Sequence, residues 1–116
     1  MKNFTKEDIL LYTGYRNAVD NITRRNYYKY INVINNDKLR RGKKYHLDHI
    51  YSVIDGYINN IPIEIISNIY NLRIIGSKEN ISKSGDSDIS KKELYLGYYK
   101  FELTKESLWQ NSTYKN

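Results

Sequence analysis

The stretch YHLDHIYSV, residues 45–53, holds both histidines of the chain, and its reading decides the fold. KYHLDHI, residues 44–50, alternates enough for a short half-buried strand. His49 directly follows Asp48, and the basic run KLRRGKK, residues 38–44, lies just before the strand. Neighbours on a regular strand point to opposite faces. Asp48 and His49 therefore reach one site only where the strand ends or twists. A strand end with a local hydrogen bond would account for the pair by itself, so the rest of the chain has to decide.

Downstream, YSVIDGYINN (51–60) reads as a loop with Asp55-Gly56 as its turn signal. IPIEIISNIY (61–70) has Pro62 in its first turn and suits a short helix, with Ile63, Ile66 and Ile69 covering the sheet. NLRII (71–75) is a second strand, and SKENISKS (77–84) starts a helix capped by Ser77. GDSD then breaks it. SKKELYLGYYKF (90–101) opens on a capping box, Ser90 to Glu93. Thr104 to Glu106 marks a last short helix with a packed Trp109 and a frayed tail. Upstream, residues 4–22 place Ile9, Tyr12, Tyr15, Val19 and Ile22 at helical spacing, with Gly14 as an interruption. Thr23 caps a second helix, RRNYYKYINVI (24–34), that ends near Asn35-Asn36. The sum is an α+β chain with a very small sheet. Residues 1–44 form a basic helical region and residues 45–116 the rest of one compact domain.

The chain has 116 residues and a formal charge of +6. Residues 1–45 carry eleven Lys/Arg against four Asp/Glu, a balance of +7; residues 46–116 carry eight against nine, a balance of −1. All the excess positive charge precedes the histidine pair. That asymmetry suggests a polyanion partner, nucleic acid first, with a solvated lysine-rich surface as the bland alternative. There is no cysteine, which excludes disulfides and a thiolate zinc site. No window approaches a membrane span and the N-terminus lacks a signal-peptide pattern, so a cytoplasmic protein without membrane contact is expected. The thirteen tyrosines accompany many Ile, Asn and Lys, all with A/T-rich codons, so codon bias competes with any functional reading of them.

Cutting a phosphodiester needs a base to activate water, a hard cation to stabilise charge, and side chains that hold both. Asp48 offers a carboxylate, Asn80 an amide oxygen, and His49 a base suited to neutral pH. HLDHI, then Asn71-Leu72, then ENISK with Asn80 and Lys83, resembles the HNH endonucleases in the variant whose last motif position is asparagine. His49 to Asn71 is 22 residues and Asn71 to Asn80 is nine. Residues 45–94 resemble small phage-type HNH enzymes closely, and the helical lead-in before them more loosely.

The resemblance implies a ββα-metal (His-Me finger) core, with a two-stranded antiparallel sheet and a helix, between N-terminal and C-terminal helices. It implies His49 as the general base, Asp48 and Asn80 as Mg²⁺ ligands, and Asn71 as the residue that spans the long loop and holds His49 in register. Lys83, one turn after Asn80, would neutralise the scissile phosphate. His46 shares a strand face with Asp48 and would be a phosphate contact. An all-oxygen ligand set implies Mg²⁺, with Mn²⁺ as a substitute, over Zn²⁺ or Ni²⁺. The four-cysteine structural zinc of many relatives has no counterpart here. The expected partner is DNA, held mainly through its backbone by Arg16, Arg24, Arg25, Lys38, Arg40, Arg41, Lys43 and Lys44. A monomer would nick and a symmetric dimer could cut both strands; the location would be the host cytoplasm for a phage-encoded chain. Two other readings stand beside this one, a non-catalytic DNA- or protein-binding module on the same scaffold and, more weakly, an RNase.

Overall fold

The computed structural model describes residues 4–110. It is an α+β arrangement of helices around a two-stranded antiparallel sheet. Helix α1 (Lys6–Lys29) starts at a reciprocal capping box, in which Asp8 N donates to Thr5 Oγ1 and Thr5 N to Asp8 Oδ2, both at 3.1 Å. It then runs 24 residues without a break. The expected interruption at Gly14 and the expected cap at Thr23 are both wrong. A glycine in a helix interior costs about 1 kcal/mol relative to alanine. Against this, Val19, Thr23 and Tyr27 recur every fourth residue and are all buried. Each large apolar side chain so buried contributes roughly 1.5–3 kcal/mol, and the stripe outweighs the glycine. A short α2 (Ile31–Ile34) follows. Asn35 then shapes the turn after it, accepting from Leu39 N at 2.9 Å and donating to Leu39 O at 2.7 Å.

Strand β1 (Tyr45–His49) pairs antiparallel with β2 (Leu72–Gly76), with Asp48 opposite Arg73 and His49 opposite Leu72. Between them the expected loop is instead helix α3 (Val53–Ile58), N-capped by Ser52, whose Oγ accepts from Asp55 N at 3.1 Å. Gly56 is there for close approach rather than for a turn. A Cβ at that position would lie 2.6 Å from Tyr15 Oη and 2.7 Å from Ile66 Cδ1. Helix α4 (Ile63–Ile66) and a 3₁₀ turn (Ile69–Asn71) lead into β2. Ile66 and Ile69 are buried as expected and Ile63 partly so, but α4 packs mainly on α1 and α6 rather than over the sheet.

Helix α5 (Ser77–Lys83) follows β2 at once. Its N-cap is Gly76, with no side-chain cap, so Ser77 is the first helical residue instead of the cap. The expected capping box at Ser90 and Glu93 is present, and it opens α6 (Lys91–Gln110). That helix passes through Thr104, whose Oγ1 donates to Lys100 O, so among the described residues there is no separate last helix. Trp109 is partly buried under the Lys29 ammonium, 4.5 Å from the ring centroid; the tail after it lies outside the described residues. Val19, Tyr51, Ile61, Ile65, Ile66 and Leu94 form one core, so the first helix and the later elements share it.

Candidate functional site at the end of strand β1

The strand faces resolve the Asp48-His49 question. His46 and Asp48 turn toward α5, where His46 Nδ1 accepts from Asn80 Nδ2 at 3.0 Å and Asp48 receives Lys83. His49 turns the other way, toward α1, where its Nε2 lies 2.9 Å from Thr23 Oγ1. Both residues still open on one hollow, because β1 ends there. That hollow, of about 220 Å³, is lined in part by Arg16, Asp48, His49, Asn80 and Lys83. A second hollow of about 340 Å³ adjoins it and shares His49 and Arg16; Arg24, Tyr28 and Arg41 also line it.

Lys83 ties the site together. Its Nζ lies 2.9 and 3.0 Å from the two Asp48 carboxylate oxygens and 2.5 Å from the His49 carbonyl oxygen. Asp48 is 7% exposed, and its second cation is Arg73 directly across the sheet, with Nε 2.9 Å from Oδ2. Arg73 also pairs with Asp88. Arg73 is the site residue that the sequence reading missed. Its signal was available, because an antiparallel register pairs Asp48 with it once both strands are placed.

Asn71 holds the strand end from behind. It is 1% exposed; its Oδ1 accepts from Tyr51 N at 2.7 Å, and its Nδ2 donates to Ile66 O at 2.7 Å and Tyr51 O at 3.1 Å. Its carbonyl accepts from Ile50 N at 2.8 Å. The residues just after His49 are thus pinned to the residue just before β2. From the far side, Asp88 N donates to Ile50 O and Ser52 N donates to Ser87 Oγ.

His49 is partly buried, and its pKa is lowered from 6.5 to about 4. Desolvation is the largest cause; the Asp48 charge raises it, while Lys83 and Arg16 lower it further. The ring is therefore neutral at pH 7, with Nε2 on Thr23 and Nδ1 without a protein partner among the described residues.

No three His, Cys, Asp or Glu side chains lie together among the described residues. Asp48 and Asn80 nevertheless open on the same hollow. The amide nitrogen of Asn80 is used on His46, which leaves its oxygen lone pairs to ligate a cation. A carboxylate and an amide oxygen suit a hard cation that keeps most of its water shell. Such an ion would share Asp48 with the Lys83 ammonium and the Arg73 guanidinium.

The eight basic residues expected at a polyanion are all exposed. They divide by place. Arg16, Arg24 and Arg41 line the hollows beside His49. Arg40, Lys43 and Lys44, again with Arg41, surround a concavity at the turn before β1. Lys38 lines a hollow on the far side of Tyr27, and Arg25 lines none of these. No helix among the described residues is long and apolar enough to cross a membrane. Comparison with protein-family models, with curated proteins and with solved structures found no match.

Proposed function

We propose that the chain is a metal-dependent DNA endonuclease of the HNH class, in its asparagine variant, built on a ββα-metal core of β1, β2 and α5. The observation that carries this is the convergence of Asp48, His49, Asn80 and Lys83 on one hollow next to an arginine-lined one. These residues come from a strand end and a helix more than thirty positions apart. They are the ones that the resemblance singles out.

In this reading Asp48 and Asn80 would hold Mg²⁺ or Mn²⁺, which would supply Lewis-acid stabilisation of charge on the phosphate and the leaving oxygen. The neutral His49 ring takes a proton from a water in line with the phosphorus. The water oxygen bonds to phosphorus as the bond to the 3′ oxygen breaks, and that oxygen acquires a proton from solvent. The products carry 5′-phosphate and 3′-hydroxyl ends. Asn71 keeps the strand end, and so the imidazole, in place. Lys83 spends its three N–H donors on Asp48 and the His49 carbonyl, so it holds the strand end and places its positive charge beside the phosphate without donating to it. Arg16, Arg24 and Arg41 hold the backbone on either side of the cut.

One observation favours the non-catalytic DNA- or protein-binding module. Both oxygens of Asp48 are already engaged, by Lys83 and Arg73, and that ion pair has a structural use of its own. The two readings separate on supercoiled plasmid incubated with and without Mg²⁺, next to His49→Ala. The nuclease gives open-circle or linear product that requires Mg²⁺ and falls at least a hundredfold in the variant, as loss of a general base implies. The binding module shifts DNA at low salt and leaves it intact with either protein.

A further inference from the structure

We propose that Thr23 is a positioning residue for His49: its hydroxyl accepts the Nε2–H of the imidazole and thereby reserves the Nδ1 lone pair for the groove. The proposal rests on His49 being the base, and it adds a residue from the N-terminal helix to the site.

Three observations support it. Threonines inside a helix commonly return their hydroxyl to the carbonyl one turn back. Thr13 does so to Ile9 O and Thr104 to Lys100 O, each at 2.7 Å, and both are at the surface. Thr23 instead is 4% exposed and directs its Oγ1 at an imidazole 26 residues away, at 2.9 Å. The position is also closely packed, since Thr23 lies between the buried Val19 and Tyr27 on the same helical stripe.

The direction of the bond follows from the surroundings. A hydroxyl can donate or accept, and a neutral imidazole carries a single N–H. Its Nδ1 has no protein partner among the described residues, while four cations, Arg16, Arg24, Arg41 and Lys83, line the hollows at the ring against two carboxylates, Asp20 and Asp48, of which Asp48 is already paired with Lys83 and Arg73. A lone pair facing that positive wall is favoured over an N–H facing it. Imidazole also prefers the Nε2–H tautomer intrinsically. Both effects place the proton on Nε2, toward Thr23. The nitrogen left to accept a proton is then Nδ1, and its aim is set by a hydrogen bond from the opposite side of the ring.

The test is a long-range ¹H–¹⁵N spectrum of the histidines in ¹⁵N-labelled protein at neutral pH with chelator present. It is run on the wild type, Thr23→Ser, Thr23→Val and Thr23→Ala, each checked for helix content and melting. Expected are an Nε2–H pattern for His49 in the wild type and Thr23→Ser, and Nδ1 and Nε2 signals that move toward each other in Thr23→Val and Thr23→Ala. In plasmid cleavage, kcat falls on the order of ten- to a hundredfold in the last two and returns with serine, KM changing little. An Nδ1–H pattern in the wild type overturns the proposal, as does an unchanged pattern in folded Thr23→Val. The spectrum does not depend on cleavage. A wild type that shows the tautomer but never cuts DNA defeats the nuclease reading and leaves the Thr23 contact standing.

Discussion

His49 couples the site to stability through a proton. Its pKa is about 4 in the folded chain and near 6.5 in the unfolded one. Between those values the unfolded chain binds a proton that the folded chain refuses, so stability rises with pH across that window. The contribution is complete above about pH 6.5 and lost as the pH falls to about 4, and it amounts to about 3 kcal/mol at most. Urea midpoints of metal-free protein at pH 7, 5.5 and 4.5 should therefore fall more steeply in the wild type than in His49→Gln. Parallel lines for the two proteins would remove the desolvated imidazole from the account. The residue scale is also where the sequence was most legible. Asp48, His49, Asn80 and Lys83 stand out by type and spacing, and all four meet. Asn71 stands out as well, and its bonds to Tyr51 and Ile66 match a role in holding the strand end. Thr23 was not legible as a site residue, and Arg73 only through the pairing of the two strands once both are placed. Their partners, His49 and Asp48, lie 26 and 25 positions away. Nothing local to a threonine or an arginine announces a partner at that distance.

Among the elements, the glycines separate what local signals predict from what packing decides. Gly14 and the Asp55-Gly56 pair both look like breaks, because glycine lowers helix propensity and marks turns. Both lie inside helices. Gly14 has nothing within 4 Å of where a Cβ would sit, so Gly14→Ala should add about 0.5–1 kcal/mol. Gly56→Ala drives a methyl into Ile66 and the Tyr15 hydroxyl, which is itself bonded to Ile61 O at 2.8 Å. Overpacking of that kind costs about 1–3 kcal/mol. Thermal melts of the two variants should move in opposite directions, and a stabilising Gly56→Ala would contradict the α1–α3–α4 packing. The strands and the Ser90 capping box were readable because alternation and caps are local; α5 was placed correctly, but its cap is Gly76, one residue before the expected Ser77, with no side-chain cap. The continuity of α1 was not, since its buried stripe of Val19, Thr23 and Tyr27 overrides a single weak position, and neither was that of α6.

Across the whole molecule, the charge asymmetry acquires a geometry only through that continuity. An α-helix repeats every 3.6 residues, so Arg16, Asp20, Thr23 and Arg24, at offsets of four, seven and eight, fall on one face of an unbroken α1. That face is the wall opposite His49, and Arg41 from the turn before β1 closes it. A break at Thr23 would have separated Arg16 from Arg24. The Arg16–Asp20 pair on this wall is 3.8 Å apart and exposed, which leaves the arginine available to a phosphate. Part of the excess charge of the first half, Arg16, Arg24 and Arg41, is then a track at the strand end, with Arg25 and Lys38 off it. Each phosphate neutralised by such a track steepens the dependence of log affinity on log salt by about 0.9 for duplex DNA. Arg24→Gln and Arg41→Gln should each flatten that slope by about 1, measured by fluorescence anisotropy of labelled duplex in chelator between about 50 and 200 mM salt. Arg25→Gln, one residue away and about 100° round the helix, should leave the slope unchanged. Equal losses at all three positions would mean that DNA meets a diffuse cloud of charge, and the arginine-lined hollow would then have no part in aligning a phosphate with His49.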